Sequence, residues 1–153
     1  MPKTSVVHAT FVLERIYPAS PDRVFAAWAE PSAKARWFSG SGEMRSTVSE
    51  FDFRVGGWER VRSGAPGGAV HAFDSVYQDI VPNQRIVYSY DMHIADARIS
   101  VSLATVEFEP SGSGTRLVFT EQAAFLDGYD DAGSRERSTR ALLDKLERAL
   151  REA

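Results

Sequence analysis

Between residues 43 and 124 the chain alternates short runs of β-branched and aromatic residues with turn-forming residues. Candidate strands fall at 44–54, 58–63, 70–80, 85–94, 98–109 and 115–124, and a further one at 6–17 (VVHATFVLERIY). The breaks are Gly56-Gly57, SGAPGG at 63–68, Val81-Pro82-Asn83-Gln84, a tight turn around Asp96, and SGSG at 111–114. Such short links force antiparallel neighbours, because a parallel pair needs a crossover of a dozen residues or more.

Alternation assigns faces to these strands. Ile86, Tyr88, Tyr90 and Met92 share one face of 85–94, and Leu117 and Phe119 share one face of 115–124. In 98–109 the reading puts Ile99, Val101 and Leu103 on the apolar face, opposite Ser100 and Ser102. The parity then changes at Val106 and Phe108, so a bulge is expected near Thr105. An apolar sheet face needs a cover, and residues 131–152 supply it. Leu142, Leu143, Leu146, Ala149 and Leu150 recur on one side of a helix. Glu136/Arg140, Asp144/Arg148 and Glu147/Arg151 are acid-before-base pairs on the other side. Asp130, Asp131 and Ser134 are candidate N-caps. After the first strand, Ser20-Pro21-Asp22 opens a short helix, Pro31 starts a second, and Ser39-Gly40 ends it. The class is α+β: a curved antiparallel sheet of six to seven strands wrapped around a long C-terminal helix, with two short helices after the first strand.

At 153 residues the chain is expected to be one domain, 1–153. A net charge of -3 gives no reason to expect nucleic acid or an acidic membrane as partner. Without cysteine there is no disulfide and no thiolate chemistry. No stretch approaches membrane-spanning length and the N-terminus lacks a signal-peptide pattern, so a cytoplasmic location is expected.

The ordered landmarks resemble the START-like (SRPBCC) superfamily, the helix-grip fold of the birch-pollen allergen. Within it they resemble the branch named for the C-terminal domain of the activator of the heat-shock-protein-ninety ATPase. The matching residues are Pro18–Pro21 leading into Val24-Phe25-Ala26-Ala27-Trp28, then Lys34 through Trp37-Phe38, and Asp52-Phe53-Arg54-Val55-Gly56-Gly57-Trp58. Ile80-Val81-Pro82, Arg85-Ile86-Val87-Tyr88, Gly114-Thr115-Arg116-Leu117 and Leu142–Leu146 complete the set. The resemblance implies a bacterial protein with an apolar cavity between sheet and helix. Many members carry a tryptophan one turn before the final leucines. Ser138 and Thr139 stand there instead, which implies more room or more polarity under that turn. The eukaryotic activator has an N-terminal domain that this chain lacks.

A concave, mostly apolar space with a few polar groups suits a small hydrophobic or aromatic ligand. Candidate lining residues are Trp37, Phe38, Trp58, His71, Phe73, Tyr77, Tyr88, Tyr90, Met92, Val101, Leu103, Phe119, Phe125, Leu126, Ser138 and Leu142. One of Glu121 and Gln122 is expected to face this space, and the loop at 127–131, with Tyr129, to gate it. His93 reads as a surface residue. His8, His71 and His93 lack metal-ligand spacing, so no metal is expected. Glu50 and Asp52 lie beside Arg54, which favours surface ion pairs over acid/base work. Gly56-Gly57 has neither the lysine-serine nor the following helix of a phosphate cradle. No GxSxG or triad stands out, and no cofactor is expected. Ligand binding is therefore the favoured function, and an enzyme is not. The alternatives are a polyketide-cyclase-like enzyme acting on an aromatic precursor, and a module that contacts a heat-shock ATPase in a stress response. A homodimer is expected as well, although no sequence feature carries it.

Overall fold

In a computed structural model of the protein, residues 4–38 and 44–152 are described. The elements follow the order that the turns dictate: β1 (Val6–Tyr17), α1 (Pro21–Ala29), α2 (Pro31–Lys34), β2 (Arg45–Phe51), β3 (Trp58–Gly64), β4 (His71–Val81), β5 (Arg85–Ile94), β6 (Ala97–Ser111), β7 (Gly114–Leu126) and α3 (Ala132–Glu152). The break expected at Ser39-Gly40 lies outside the described residues. One seven-stranded sheet runs β1-β7-β6-β5-β4-β3-β2, with all neighbours antiparallel. This is the helix-grip α+β architecture. Among the described residues no helix is long and apolar enough to cross a membrane.

The two short helices exist because each proline sits at a first helical position, where its missing N–H costs nothing. Ser20 occupies the N-cap of α1, but its hydroxyl donates to the Asp22 carboxylate rather than accepting from the helix N–H groups. Phe25 and Trp28 of α1 pack edge-on against Phe108 of β6, and Trp28 also meets Trp37 at 4.7 Å. Asp131 caps α3, its Oδ1 accepting from the Ser134 N–H at 2.8 Å.

The buried stripe of α3 is Arg135, Thr139, Leu143, Leu146 and Leu150. It begins two turns before the leucine row read from the sequence. Asp144 reaches Arg15 of β1, so Leu142, on the opposite flank of the stripe, faces away from β1 toward the middle of the sheet. Glu136/Arg140 and Glu147/Arg151 pair as expected.

β6 corrects the sequence reading. Ser100, Ser102, Ala104, Val106 and Phe108 are all buried on the inner face, whereas Val101 and Leu103 are 38% and 40% exposed on the outer face. The alternation therefore continues unbroken past Thr105, which pairs regularly with Val87 and Thr120. The irregularity lies at the other end. Met92 opposes Ser100 and His93 opposes Arg98, which leaves Ile99 as the extra, buried residue of a bulge.

Candidate functional site

The inner face of the sheet is built from alternate side chains of every strand. Phe11, Leu13 and Tyr17 come from β1, Glu59 and Val61 from β3, and Phe73, Ser75 and Tyr77 from β4. β5 adds Tyr88, Tyr90 and Met92, while β7 adds Leu117, Phe119, Glu121, Ala123 and Phe125. Most of this is closed core. Phe119 stacks on Phe11 and Trp28, and Trp37 donates its indole N–H to the Ala27 carbonyl at 2.9 Å. Phe38, Phe73, Met92 and Leu142 are different. They pack against the core yet remain only partly buried. Phe38 and Phe73 lie 5.2 Å apart between ring centroids, Phe73 and Tyr90 4.8 Å, and Met92 sits opposite Phe73 across the β4–β5 pair. Partly exposed apolar side chains thus run from Phe38 along the sheet to Tyr90, and Leu142 of α3 packs against the same core.

Two ionic clusters are buried at the ends of this run. In the first, Lys34 Nζ lies 2.6 Å from Glu59 Oε1, and the Tyr77 hydroxyl donates to the same oxygen at 2.7 Å. The rings of Phe38, Trp28, Phe51, Tyr77 and Tyr88 surround the ammonium at 4.5 to 6.0 Å. The turn at Gly56-Gly57 holds this end. Gly56 N–H donates to the Tyr77 carbonyl and Tyr77 N–H to the Gly57 carbonyl, while Gly56 takes a φ of 84° that favours glycine. A Cβ on Gly57 would collide with the Asp52 carbonyl.

In the second cluster, Tyr90 donates to Glu121 Oε2 at 2.7 Å and accepts from Arg135 at 3.0 Å. Arg135 also lies 3.3 Å from Glu121, 2.7 Å from the Ser100 hydroxyl and 3.1 Å from Asp130. Its guanidinium stands over the Phe125 ring at 5.3 Å. Glu121 is 1% exposed, and its second oxygen, Oε1, has no hydrogen-bond partner. Burial raises the Glu121 pKa above the usual carboxylate range, although the Tyr90 hydroxyl and Arg135 oppose the shift. Burial also pushes the Tyr90 and Tyr88 phenols up, with Glu121 adding to both shifts. Both tyrosines therefore stay protonated near neutral pH, and Tyr90 donates to Glu121.

Of the residues expected to line a site, Phe38, Phe73, Tyr77, Tyr88, Tyr90, Met92, Phe125 and Leu142 do share the inner face, and Trp37 and Phe119 lie behind it in the core. His71 is half-buried on the same face, in register with Ser63 and Ile94. Val101, Leu103 and Trp58 do not. They point outward, and the Arg60 guanidinium covers Trp58 at 4.1 Å. Leu126 follows Phe125 onto the opposite side of β7, and Ser138 is exposed to solvent. Under the Ser138-Thr139 turn lies the Arg135 cluster, with the Thr139 hydroxyl donating to the Arg135 carbonyl. Glu121 faces inward and Gln122 outward.

The sequence reading missed Glu59 and Arg135. Arg135 was detectable, because it precedes Thr139 and Leu143 at intervals of four on the buried stripe. His93 points outward beside Asp74 and Asp91 in a group compact enough for a cation. Arg60 and Arg62 already pair with Asp74, and Arg98 with Asp91. Glu50 and Asp52 likewise pair with Arg60 and Arg54.

Two surface depressions among the described residues lie elsewhere. One is a shallow trough on the outer face, over His8, Thr10, Ser89, Val101, Leu103 and Gln122. The other lies near the β4–β5 turn, beside Pro21 and Phe108.

A family model described as activator of Hsp90 ATPase homolog 1-like protein matches residues 18–151. A structure from Rhizobium leguminosarum is 46% identical, covers 99% of each chain and superposes with a TM-score of 0.91. One from Rhizobium loti is 52% identical over 95% of this chain and 99% of its own, with a TM-score of 0.87. One from Chromobacterium violaceum is 27% identical over 90% of this chain and 94% of its own, with a TM-score of 0.78. No curated protein matches the chain significantly.

Proposed function

The chain belongs to the activator of Hsp90 ATPase homolog 1-like family, and on that premise we propose that it binds a small apolar or aromatic molecule between the sheet and α3. The observation that carries this reading is the run of partly exposed Phe38, Phe73, Met92 and Leu142, which ends at the buried Tyr90. Partly exposed aromatic and methionine side chains with a few fixed polar groups at their end match the usual composition of a small-molecule site. Thermal-shift measurements with naphthalene-sized aromatics and with fatty acids test the reading. A ligand at a hundred times its Kd stabilises by about 2.7 kcal/mol. Phe73→Asp should abolish the shift. A panel in which nothing raises the Tm would count against the proposal.

A second reading concerns partners, and rests on the outer face. Val12, Val101 and Leu103 are exposed there across β1 and β6. Exposed apolar side chains in one neighbourhood suit contact with another protein surface, a heat-shock ATPase or a second copy of this chain. Leu103→Asp should weaken such association in sedimentation or pull-down experiments. An unchanged association state would remove this reading.

A further inference from the structure

Glu121 sits at the end of the apolar run with an asymmetric set of contacts. Its Oε2 accepts from Tyr90 and lies near Arg135, whereas Oε1 is buried and accepts nothing. Leaving a buried acceptor unsatisfied costs about 1–3 kcal/mol, and more when the group is charged. The Tyr90 O–H already points at Oε2, Arg135 divides its N–H groups among Tyr90, Ser100, Ser102 and Asp130, and the Ser102 hydroxyl is a further partner of Glu121. The local charge is equally one-sided, because a single guanidinium faces two carboxylates, Glu121 and Asp130. An arriving anion would meet surplus negative charge and an arginine already in use. A neutral donor would complete Glu121 without disturbing Arg135. Phe73, partly exposed, packs 4.8 Å from the Tyr90 ring, whose hydroxyl touches Glu121.

We infer that the ligand is an uncharged aromatic carrying an O–H or N–H donor, which it gives to Glu121 Oε1 while its ring lies along Phe73 and Tyr90. This rests on the ligand-binding reading above and adds the chemical class. Ser75 Oγ, also buried and unpartnered on the inner face opposite Tyr90, is the competing anchor. Its oxygen offers the same donor an alternative acceptor.

The test uses three ring-matched probes: 2-naphthol, 2-methoxynaphthalene and 2-naphthoate. Their affinities are measured by titration calorimetry on the wild-type protein and on Glu121→Gln. A hydrogen bond to a charged group corresponds to about tenfold or more in affinity. The wild type should therefore bind 2-naphthol at least about tenfold tighter than either other probe. In Glu121→Gln the margin over the ether should shrink to about threefold or less. Equal binding of naphthol and ether by the wild type would overturn the donor inference while leaving the aromatic site intact. Tightest binding of naphthoate would overturn it in favour of Arg135 as the anchor. A margin that survives Glu121→Gln would reassign the contact to Ser75 and overturn the role of Glu121. If no probe binds, the ligand-binding reading fails and this inference fails with it. Should Glu121→Gln not fold, the wild-type series and Ser75→Ala decide: a margin lost in Ser75→Ala overturns the assignment, and a margin kept there supports it.

Discussion

Among the described residues two ion pairs are buried against the sheet, and they are built to different ends. Around Lys34 and Glu59 everything converges: ammonium and phenol meet on one carboxylate oxygen, and five aromatic rings enclose the cation. Around Arg135 and Glu121 the set is incomplete at one oxygen and reaches the surface through the partly exposed Asp130. The first cluster is a clamp that ties the short-helix arm to the sheet. The second has spare capacity beside accessible apolar surface. Burial of charge by itself therefore does not mark a site, since both clusters are buried. What separates them is the buried, unpartnered Glu121 Oε1 beside partly exposed apolar side chains.

Substitutions can break or sharpen that contrast. The largest effect is expected at the clamp. Lys34→Ala strands Glu59 in the interior and should cost about 3–5 kcal/mol, a Tm drop of roughly 10 °C by calorimetry. Arg135→Met should cost less, about 1–3 kcal/mol near pH 5, because Glu121 already holds its proton more tightly than usual and can neutralise itself. That cost should grow toward pH 8, as the stranded carboxyl is forced to ionise. A pH-independent loss as large as that of Lys34→Ala would erase the distinction between the clusters.

Glu121→Gln should be milder still, and its sign with pH is fixed. A carboxyl whose folded pKa is raised contributes stability that is fully present below its unfolded value of about 4.3, and loses it as pH rises through the folded value. Glutamine does not titrate. The stability of the wild type relative to Glu121→Gln should therefore fall from pH 4 to pH 7 in urea titrations. The smallest effect belongs to Leu103→Asp, within about 0.5 kcal/mol, because the side chain lies outside the core.

Much of the fold was legible because it rests on turn chemistry and periodicity. Antiparallel order followed from the short links, and the terminal helix from its leucine spacing. The clusters were harder to see, because residue type argues against burial at their key positions. Trp58 is a stronger burial signal than Glu59, so the β3 faces read inverted. In the structure, Arg60 covers Trp58 from outside and Lys34 pairs with Glu59 inside. Val101 and Leu103 outweighed Ser100 and Ser102 in the same way, although the serines continue the inward row of Ala104, Val106 and Phe108 and lie beside Arg135. Following the unbroken alternation from Phe108 backward assigns them correctly. Glu121 was legible as an inward candidate, whereas its unpartnered oxygen depends on tertiary contacts that no local pattern encodes.

The central claim is that ligands enter between the inner sheet face and α3, and chemical-shift mapping with 2-naphthol tests it most directly. Perturbations are expected to centre on Phe73, Tyr90, Met92 and Leu142, with Ser89, Val101 and Leu103 unmoved. Perturbations confined to the outer-face trough, or none at millimolar probe, would contradict it.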